Sequence, residues 1–379
     1  MLETRAAHAR HTVTAVFDPQ RASEADWDRA LAYWRLRHEE DHPGEPVPND
    51  ADTRHNVLRA DPLHVSHRML AVGPHGELMG SLNASFRREG TPDCEAFAPF
   101  IDAWGGVLRA HQRRGVATAL LHALLALMDA HGKRVATLRT HLPEGHAFLQ
   151  AIGATQKYRS VENRMAFAGL DWQALARWRA EGFAPAHGLR AEVHAGRVPF
   201  ERLATLMAPL SALLDDAPTG NLERPPLRYD LEGYHTWYAD LDQRGGDHLL
   251  VLLLDSNDEV AAVCDANWSP RFPERMYQNL TAVARRWRGK GLAKGVKAAM
   301  LQLVRERHPQ VTLAVTSNAE VNAPMLAINR QLGFAPHRHD GAYQVGRERL
   351  SAFLSTRQAS PPRPANPMAT QQETQEERP

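Results

Sequence analysis

The chain has 379 residues, 43% of them hydrophobic and 23% charged, proportions of a globular protein with room for two or three domains. Its 45 Lys and Arg against 44 Asp and Glu leave a net charge of +1 with His neutral, so no overall positive field recommends a nucleic-acid partner. No run approaches membrane-spanning length and the N-terminus lacks the apolar segment of a signal peptide, so a soluble, cytoplasmic protein with no membrane partner is expected.

The two cysteines, Cys94 and Cys264, lie in different halves and read as free thiols of a reducing compartment. The 20 His form no HExxH or Cys/His ligand pattern and read as mostly surface residues. His337 and His339 lie two apart, which is too little to expect a metal.

In chain order, the first ten or so residues are polar and expected to be loose. Residues 12–17 alternate as a strand. From Ser23 to about residue 40, Trp27, Ala30, Leu31, Trp34 and Leu36 suit an amphipathic helix with Ser23 as its cap, broken by the prolines at 43–48. A short helix is expected over 54–59, then a hairpin of 67–72 and 77–84 turned at 73–76. Residues 97–108 read as a strand with a break or bulge at Gly105-Gly106, followed by a helix over 114–131 and a strand over 134–140. Residues 171–178 look like a connecting helix, with a boundary near 181–187.

A second series starts with a strand at 189–193 and a helix over 200–214. Next come an acidic loop at 215–226, a helix over 231–243 carrying Tyr234, His235, Trp237 and Tyr238, and a hairpin of 248–254 and 259–265. A strand over 276–283 follows. A weak last helix is expected over 351–356, and a tail at 357–379, rich in Pro, Gln, Glu and Thr, is expected to be disordered.

The organising stretch comes after that strand. Leu280, Ala282 and Ala284 alternate with Thr281 and Val283, then Arg285-Arg286-Trp287-Arg288-Gly289-Lys290-Gly291 leads into Leu292, Ala293, Val296, Ala299, Met300 and Leu303 at helical spacing. This is a strand, a Gly-rich turn and a helix. Glycines permit unusual φ, and the free N–H groups and dipole of a helix start attract phosphate. Arg286, Arg288 and Lys290 add positive charge. By itself the stretch is equally a packed helix start with a solvated basic turn. However, Val107-Leu-Arg-Ala-His-Gln-Arg-Arg-Gly-Val-Ala117 repeats it, ahead of Leu120, Leu121, Leu124, Leu125 and Met128, with Gly115 and Gly289 placed 174 residues apart.

Both stretches resemble motif A of the GCN5-related N-acetyltransferases, (Gln/Arg)-x-x-Gly-x-(Gly/Ala), the first through Gln112, Gly115 and Ala117, the second through Arg286, Gly289 and Gly291. Thr316-Ser-Asn318, Asn322, Met325, Asn329 and Leu332-Gly-Phe334 resemble the family's later region. The first half matches that region poorly, with Thr140-His-Leu-Pro143, Glu144 and Ile152-Gly-Ala154 in its place. The tandem layout is similar to that of the mycothiol synthases, in which the C-terminal copy is active.

The resemblance implies two tandem α/β folds of α+β type, each a mixed, mostly antiparallel sheet flanked by helices. Their bounds would be residues 1–168 and 188–356, joined by 169–187. It implies acetyl-CoA as cofactor, held in the second copy by Val283, Ala284, Arg286, Arg288, Gly289, Lys290, Gly291, Leu292, Ala293, Asn318 and Asn322. The matching residues in the first copy are Val107, Gln112, Arg114, Gly115, Val116 and Ala117. Val283 is the expected N–H donor to the acyl oxygen. Asp265 reads either as a general base or as a turn carboxylate. Asp215 and Asp216 read either as a site for a cationic amine or as an exposed loop pair. Tyr343 is either the acid for the leaving thiol or a strand aromatic, because Ile328-Asn329 stands where the family has its tyrosine. Asn322 and Asn329 together suggest contact with pantetheine or substrate. The expected activity is transfer of an acyl group to a primary amine of a small molecule, in the C-terminal copy of a monomer or homodimer. Alternatives are a protein or peptide N-acetyltransferase and a non-catalytic acyl-CoA sensor.

Overall fold

Two runs of elements in the same order make up the chain. In the computed structural model, which describes residues 4–7, 12–59, 61–216, 218 and 220–358, the first run opens with β1 (Thr4–Ala7), β2 (Val13–Val16), α1 (Glu24–Asp41), α2 (Asp50–Leu58), β3 (His64–Val72) and β4 (Leu78–Arg87). It continues with the one-turn α3 (Cys94–Phe97), β5 (Phe100–Val107), α4 (Val116–Ala130), β6 (Val135–Thr140), α5 (Pro143–Ala151), β7 (Thr155–Ala166) and α6 (Trp172–Gly182). The second run is β8 (Arg190–Ala195), α7 (Phe200–Asp215), α8 (Leu231–Gln243), β9 (Asp247–Leu254), β10 (Val260–Trp268), β11 (Arg275–Val283) and α9 (Leu292–Arg307). It ends with β12 (Leu313–Ala319), α10 (Ala323–Gln331), β13 (Ala335–Gly346) and α11 (Arg347–Gln358).

Local chemistry places most of these. Ser23 and Asp26 form a reciprocal capping box at the start of α1, and Asp230 caps α8 by accepting from the Gly233 N–H. Four expectations change. Residues 4–7 form a strand against β2 instead of a loose end. Leu36 of α1 is exposed and Tyr33 is buried in its stead. The last helix starts at Arg347, four residues before the expected start, and runs to Gln358, so only the rest of the expected tail lies outside the described residues. Gly105-Gly106 makes no bulge, since β5 pairs with β4 in unbroken register from Val107↔Gly80 to Asp102↔Ser85. The equivalent pairing of the second run, β10 with β11, does carry one. Cys264↔Thr281 is followed by Ala266↔Gln278, so β11 carries one extra residue opposite Asp265.

Among the described residues, thirteen strands join one sheet, in the order β1-β2-β3-β4-β5-β6-β13-β7-β12-β11-β10-β9-β8. Of their pairings, only β5–β6 and β11–β12 are parallel. The centre of the sheet is an exchange. β13 closes the first run's sheet by pairing with β6, and β7 closes the second's by pairing with β12, while β13 and β7 pair with each other. The helices that follow go with their strands. Leu350 and Leu354 of α11 pack with Leu120, Leu124 and Ile152 of the first run. Met165, Phe167 and Leu175 pack with Val296, Met300 and Val304 of the second.

Helix α6, expected as a connector, is therefore a packed element. It crosses α9 so closely that a Cβ on Gly182 would lie 2.7 Å from Gly295 Cα. Residues 1–168 and 188–356 follow chain order, whereas each spatial unit takes its last strand and helix from the other run. The first and second units below are these spatial units.

Candidate functional site

The two parallel strand pairs part part-way along. β11 pairs with β12 only from Arg275↔Leu313 to Gln278↔Thr316. Beyond that point β12 continues with β7 to Ala319↔Ser160, and β11 with β10 to Val283↔Ala262. A gap opens from Asn279 to Val283. The Ala284 N–H donates to Ala261 O at 2.9 Å, so strand alternation turns the N–H and C=O of Val283 the other way, into the gap. There Arg288 Nε donates to Val283 O at 3.1 Å. The first unit repeats this. β5 pairs with β6 only to Ala103↔Leu138, Leu108 N–H donates to Met79 O, and Gln112 Nε2 donates to Val107 O at 3.3 Å.

These bonds correct the register of the repeat. Gln112 and Arg288 make the same bond, and Gly115 and Gly291 both stand at a helix N-terminus with φ of 85° and 75°. The second motif is therefore Arg288-x-x-Gly291-x-Ala293, matching Gln112-x-x-Gly115-x-Ala117 at a period of 176 residues instead of 174. Arg286 and Gly289 are not its anchor positions. Gly289, at φ 79°, matches Arg113, which holds φ 61° without the freedom of glycine.

The turn is an open cradle. A Cβ on Gly289 or Gly291 would meet nothing within 4 Å, and Gly291 gives α9 no side-chain cap, so the N–H groups of its first turn await an acceptor. Lys290 Nζ lies 4.6 Å from the ring centre of Trp287.

The arginines around the cradle are held by carboxylates. Arg286 pairs with Asp255 at 2.5 Å and with Glu259, on the β9–β10 hairpin, away from the cradle. Asp216 accepts from Arg285 at 2.6 Å and Arg288 at 3.0 Å, and the Arg285 hydrogen bond holds its carboxyl below the usual range. Asp215 pairs with Arg228 at 2.7 Å. Asp215 and Asp216 are thus committed to arginines and do not stand ready for a cationic amine.

At the other end of the gap is a cavity of about 320 Å³, lined by Arg228, Tyr229, Asp230, Gly233, Tyr234, Trp237, Asp265 and Asn279. The extra residue in β11 lets Asn279 reach Asp265, to whose Oδ1 its amide donates at 2.6 Å. Asp265 Oδ2 is 2.9 Å from Nε2 of the fully buried His248, whose Nδ1 is 2.8 Å from the Tyr238 hydroxyl. The Val198 N–H donates to that hydroxyl oxygen at 3.0 Å. With neutral His248, the hydroxyl then donates to Nδ1, and Nε2–H donates to Asp265. Burial first, and the Asp265 charge with it, raises the Tyr229 and Tyr234 hydroxyls above their ordinary pKa and pushes Tyr238 to about 12. All three stay neutral.

Residues 27–153 match the family model of the acetyltransferase (GNAT) family. A solved tandem GNAT protein from the clavulanic acid biosynthesis pathway superposes with a TM-score of 0.67 at 22% identity, over 89% of this chain and 98% of that one. The chain has a tandem GNAT fold. A GCN5-related N-acetyltransferase from Sphaerobacter thermophilus superposes at 0.59 with 13% identity, over 89% and 96% of the two chains. A glucosamine N-acetyltransferase region of a fungal multi-domain GH3 β-N-acetylglucosaminidase superposes at 0.61 with 15% identity, over 89% of this chain and 38% of that one. No curated protein matches the chain in sequence.

The remaining expected site residues divide between the two GNAT units. Asn322 is the N-cap of α10, accepting from the Met325 N–H at 3.4 Å, which accounts for it structurally. Asn329 is buried and donates to Asn318 Oδ1 at 2.7 Å, while its own Oδ1 has no partner among the described residues. Of its two readings, Tyr343 fits the strand aromatic and not the acid. It rides β13 into the first unit, opposite Leu138, where its hydroxyl meets His146 Nδ1 at 2.8 Å. It is no acid for the second gap.

In the first GNAT unit, the end of α1 closes the equivalent gap. Arg37 Nη1 donates to Val107 O at 3.2 Å, the Glu40 carboxylate accepts from the Arg109 N–H, and His141 after β6 bonds Asp41 O and stacks on His42. A Cβ on Gly106 would lie 2.2 Å from Arg37.

Sequence reasoning missed His248, Tyr229, Asn279 and the joint role of Tyr234 and Trp237. Only the last carried a signal, since positions three apart on a helix share a face. Among the described residues no His/Cys/Asp/Glu group is arranged to hold a metal, and no helix is long and apolar enough to cross a membrane.

Proposed function

We propose that the protein is an acyl-CoA-dependent N-acyltransferase, with acetyl-CoA as its donor, that modifies a primary amine of a small molecule in the second GNAT unit. One arrangement carries this reading: five consecutive residues of β11 link the glycine cradle beside Val283 to the carboxylate pocket beside Asn279. The cradle fits a phosphate chain, because both glycines face open space and the first-turn N–H groups of α9 have no side-chain cap among the described residues. Residues 288–293 would hold the pyrophosphate, and Asn318 and Asn329, with its unpartnered Oδ1, the amide-bearing arm. Acyl-CoA supplies the acyl group as an activated thioester.

The protein's own groups do the rest. Asp265 takes one proton from the acceptor's ammonium, and the His248 N–H bond steadies the carboxylate before transfer. The Val283 N–H, aimed into the gap, polarises the acyl oxygen. The nitrogen then bonds to the acyl carbon, the carbon–sulfur bond breaks, and the proton shed by nitrogen ends on the thiolate. The amide of Asn329 cannot give up that proton, so it travels directly or through water. The pocket's small volume suits a small amine, and the buried Asp265–His248–Tyr238 chain has no purpose in a mere sensor. The plugged first gap supports a structural role for the first unit.

The test is release of CoA thiol from acetyl-CoA with panels of small amines and of peptides. Small amines are expected to be acylated. Asp265→Asn is expected to lower kcat by about 10²–10⁴. Turnover of peptides alone, or full turnover by Asp265→Asn, contradicts the reading.

A further inference from the structure

Resting on that reading, we infer that the acceptor is a compact monocationic amine without any acidic group, held between the aromatic faces of Tyr229, Tyr234 and Trp237 and the carboxylates of Asp230 and Asp265. The rings form a box along one wall. Tyr229 and Tyr234 centroids are 5.9 Å apart, and Trp237 stands edge-on to Tyr234 at 5.8 Å and 76°. Such faces attract a cation, most strongly where water is excluded. Asp265 is buried beside them, and Asp230 spends one oxygen on the Gly233 N–H at 2.7 Å while its charge stays on the wall.

Among the described residues the lining has one basic residue, Arg228, and Asp215 neutralises it at 2.7 Å. Nothing there welcomes a carboxylate or phosphate on the acceptor, and two like charges repel one. The volume of about 320 Å³ sits at the small end of the range for ligand pockets, which suits a compact acceptor better than a polycationic sugar or a chain. The neutral tyrosine hydroxyls add no charge of either sign.

The experiment is calorimetric titration of the full chain with phenethylamine, phenylalanine and phenylalanine amide, which share one body and differ in the carboxyl. Phenethylamine and the amide are expected to bind at least about tenfold more tightly than phenylalanine. Trp237→Leu is expected to weaken phenethylamine about tenfold. Asp265→Asn is expected to weaken it similarly and to narrow the discrimination against phenylalanine. Retained acetyl-CoA binding by both variants establishes that they fold. Equal or tighter binding of phenylalanine, no binding of phenethylamine, or indifference to both substitutions overturns the inference. Because binding is read without turnover, absent acyl transfer to a bound amine would fall on the proposed reaction alone.

Discussion

Lys297 shows how a single buried group registers in the stability of the whole second unit. It projects from α9 under the sheet, donates to Gln278 Oε1 and lies 5.6 Å from the Phe334 ring centre. Burial lowers its pKa from 10.5 to about 8, against a smaller upward pull from Cys264. Between about pH 8 and 10.5 the unfolded chain therefore binds more protons than the native one, and stability rises with pH across that window. Denaturant midpoints at pH 8 and 10 should show this rise in the wild type and lose it in Lys297→Met; an unchanged rise in the variant would place its origin elsewhere. At this scale the sequence offered Asp265 at a strand end, as a base facing the cleft or as a turn carboxylate, and the structure puts it in the wall of the pocket. The sequence was not legible for His248, because a buried histidine and a surface one look alike until the third dimension supplies Tyr238 and Asp265 as its partners.

Among elements, the strand–turn–helix unit was readable because glycine freedom and helical spacing are local. Its register slipped by two residues because Arg286 and Arg288 both offer a basic residue three before a glycine. Only the Val283 carbonyl distinguishes them, by bonding Arg288. The end of α7 bears on the same turn. Asp216 holds Arg285 and Arg288 where a pyrophosphate would compete for them. Asp216→Asn should therefore tighten acetyl-CoA binding about two- to fivefold at low salt, as expected for exposed ion pairs, and steepen its salt dependence. Weaker binding by this variant would mean that the carboxylate positions the arginines instead of competing with the ligand. Helix α8 was read with its bounds intact, yet which of its aromatics face the pocket depended on strands far away in sequence.

Over the whole molecule, the strand exchange is what no local pattern announces. β7 and β13 are the last strands of their runs, and their crossing carries Tyr343 into the other unit's core. Glu45 sits on the seam, bonded to Arg164 of β7 and, at 2.8 Å, to Arg275 of β11. Burial alone would raise its carboxyl, but the two arginines outweigh this and hold it at about 2. Its contribution is complete above pH 4.5 and is lost as pH falls toward 2. Glu45→Gln should cost about 2–3 kcal/mol at pH 7 by chemical denaturation, with the difference closing in acid. A constant difference across pH would separate the effect from ionisation.

In the proposed function, one of two repeated cradles, the second, takes the acyl-CoA. This is tested most directly by calorimetric titration of acetyl-CoA into the wild type, Gly291→Tyr and Gly115→Tyr, two variants that place the same side chain at the same strained backbone position of each unit. About one equivalent is expected to bind to the wild type and to Gly115→Tyr, and none to Gly291→Tyr. Two equivalents in the wild type, or binding that survives in Gly291→Tyr and disappears in Gly115→Tyr, would contradict it.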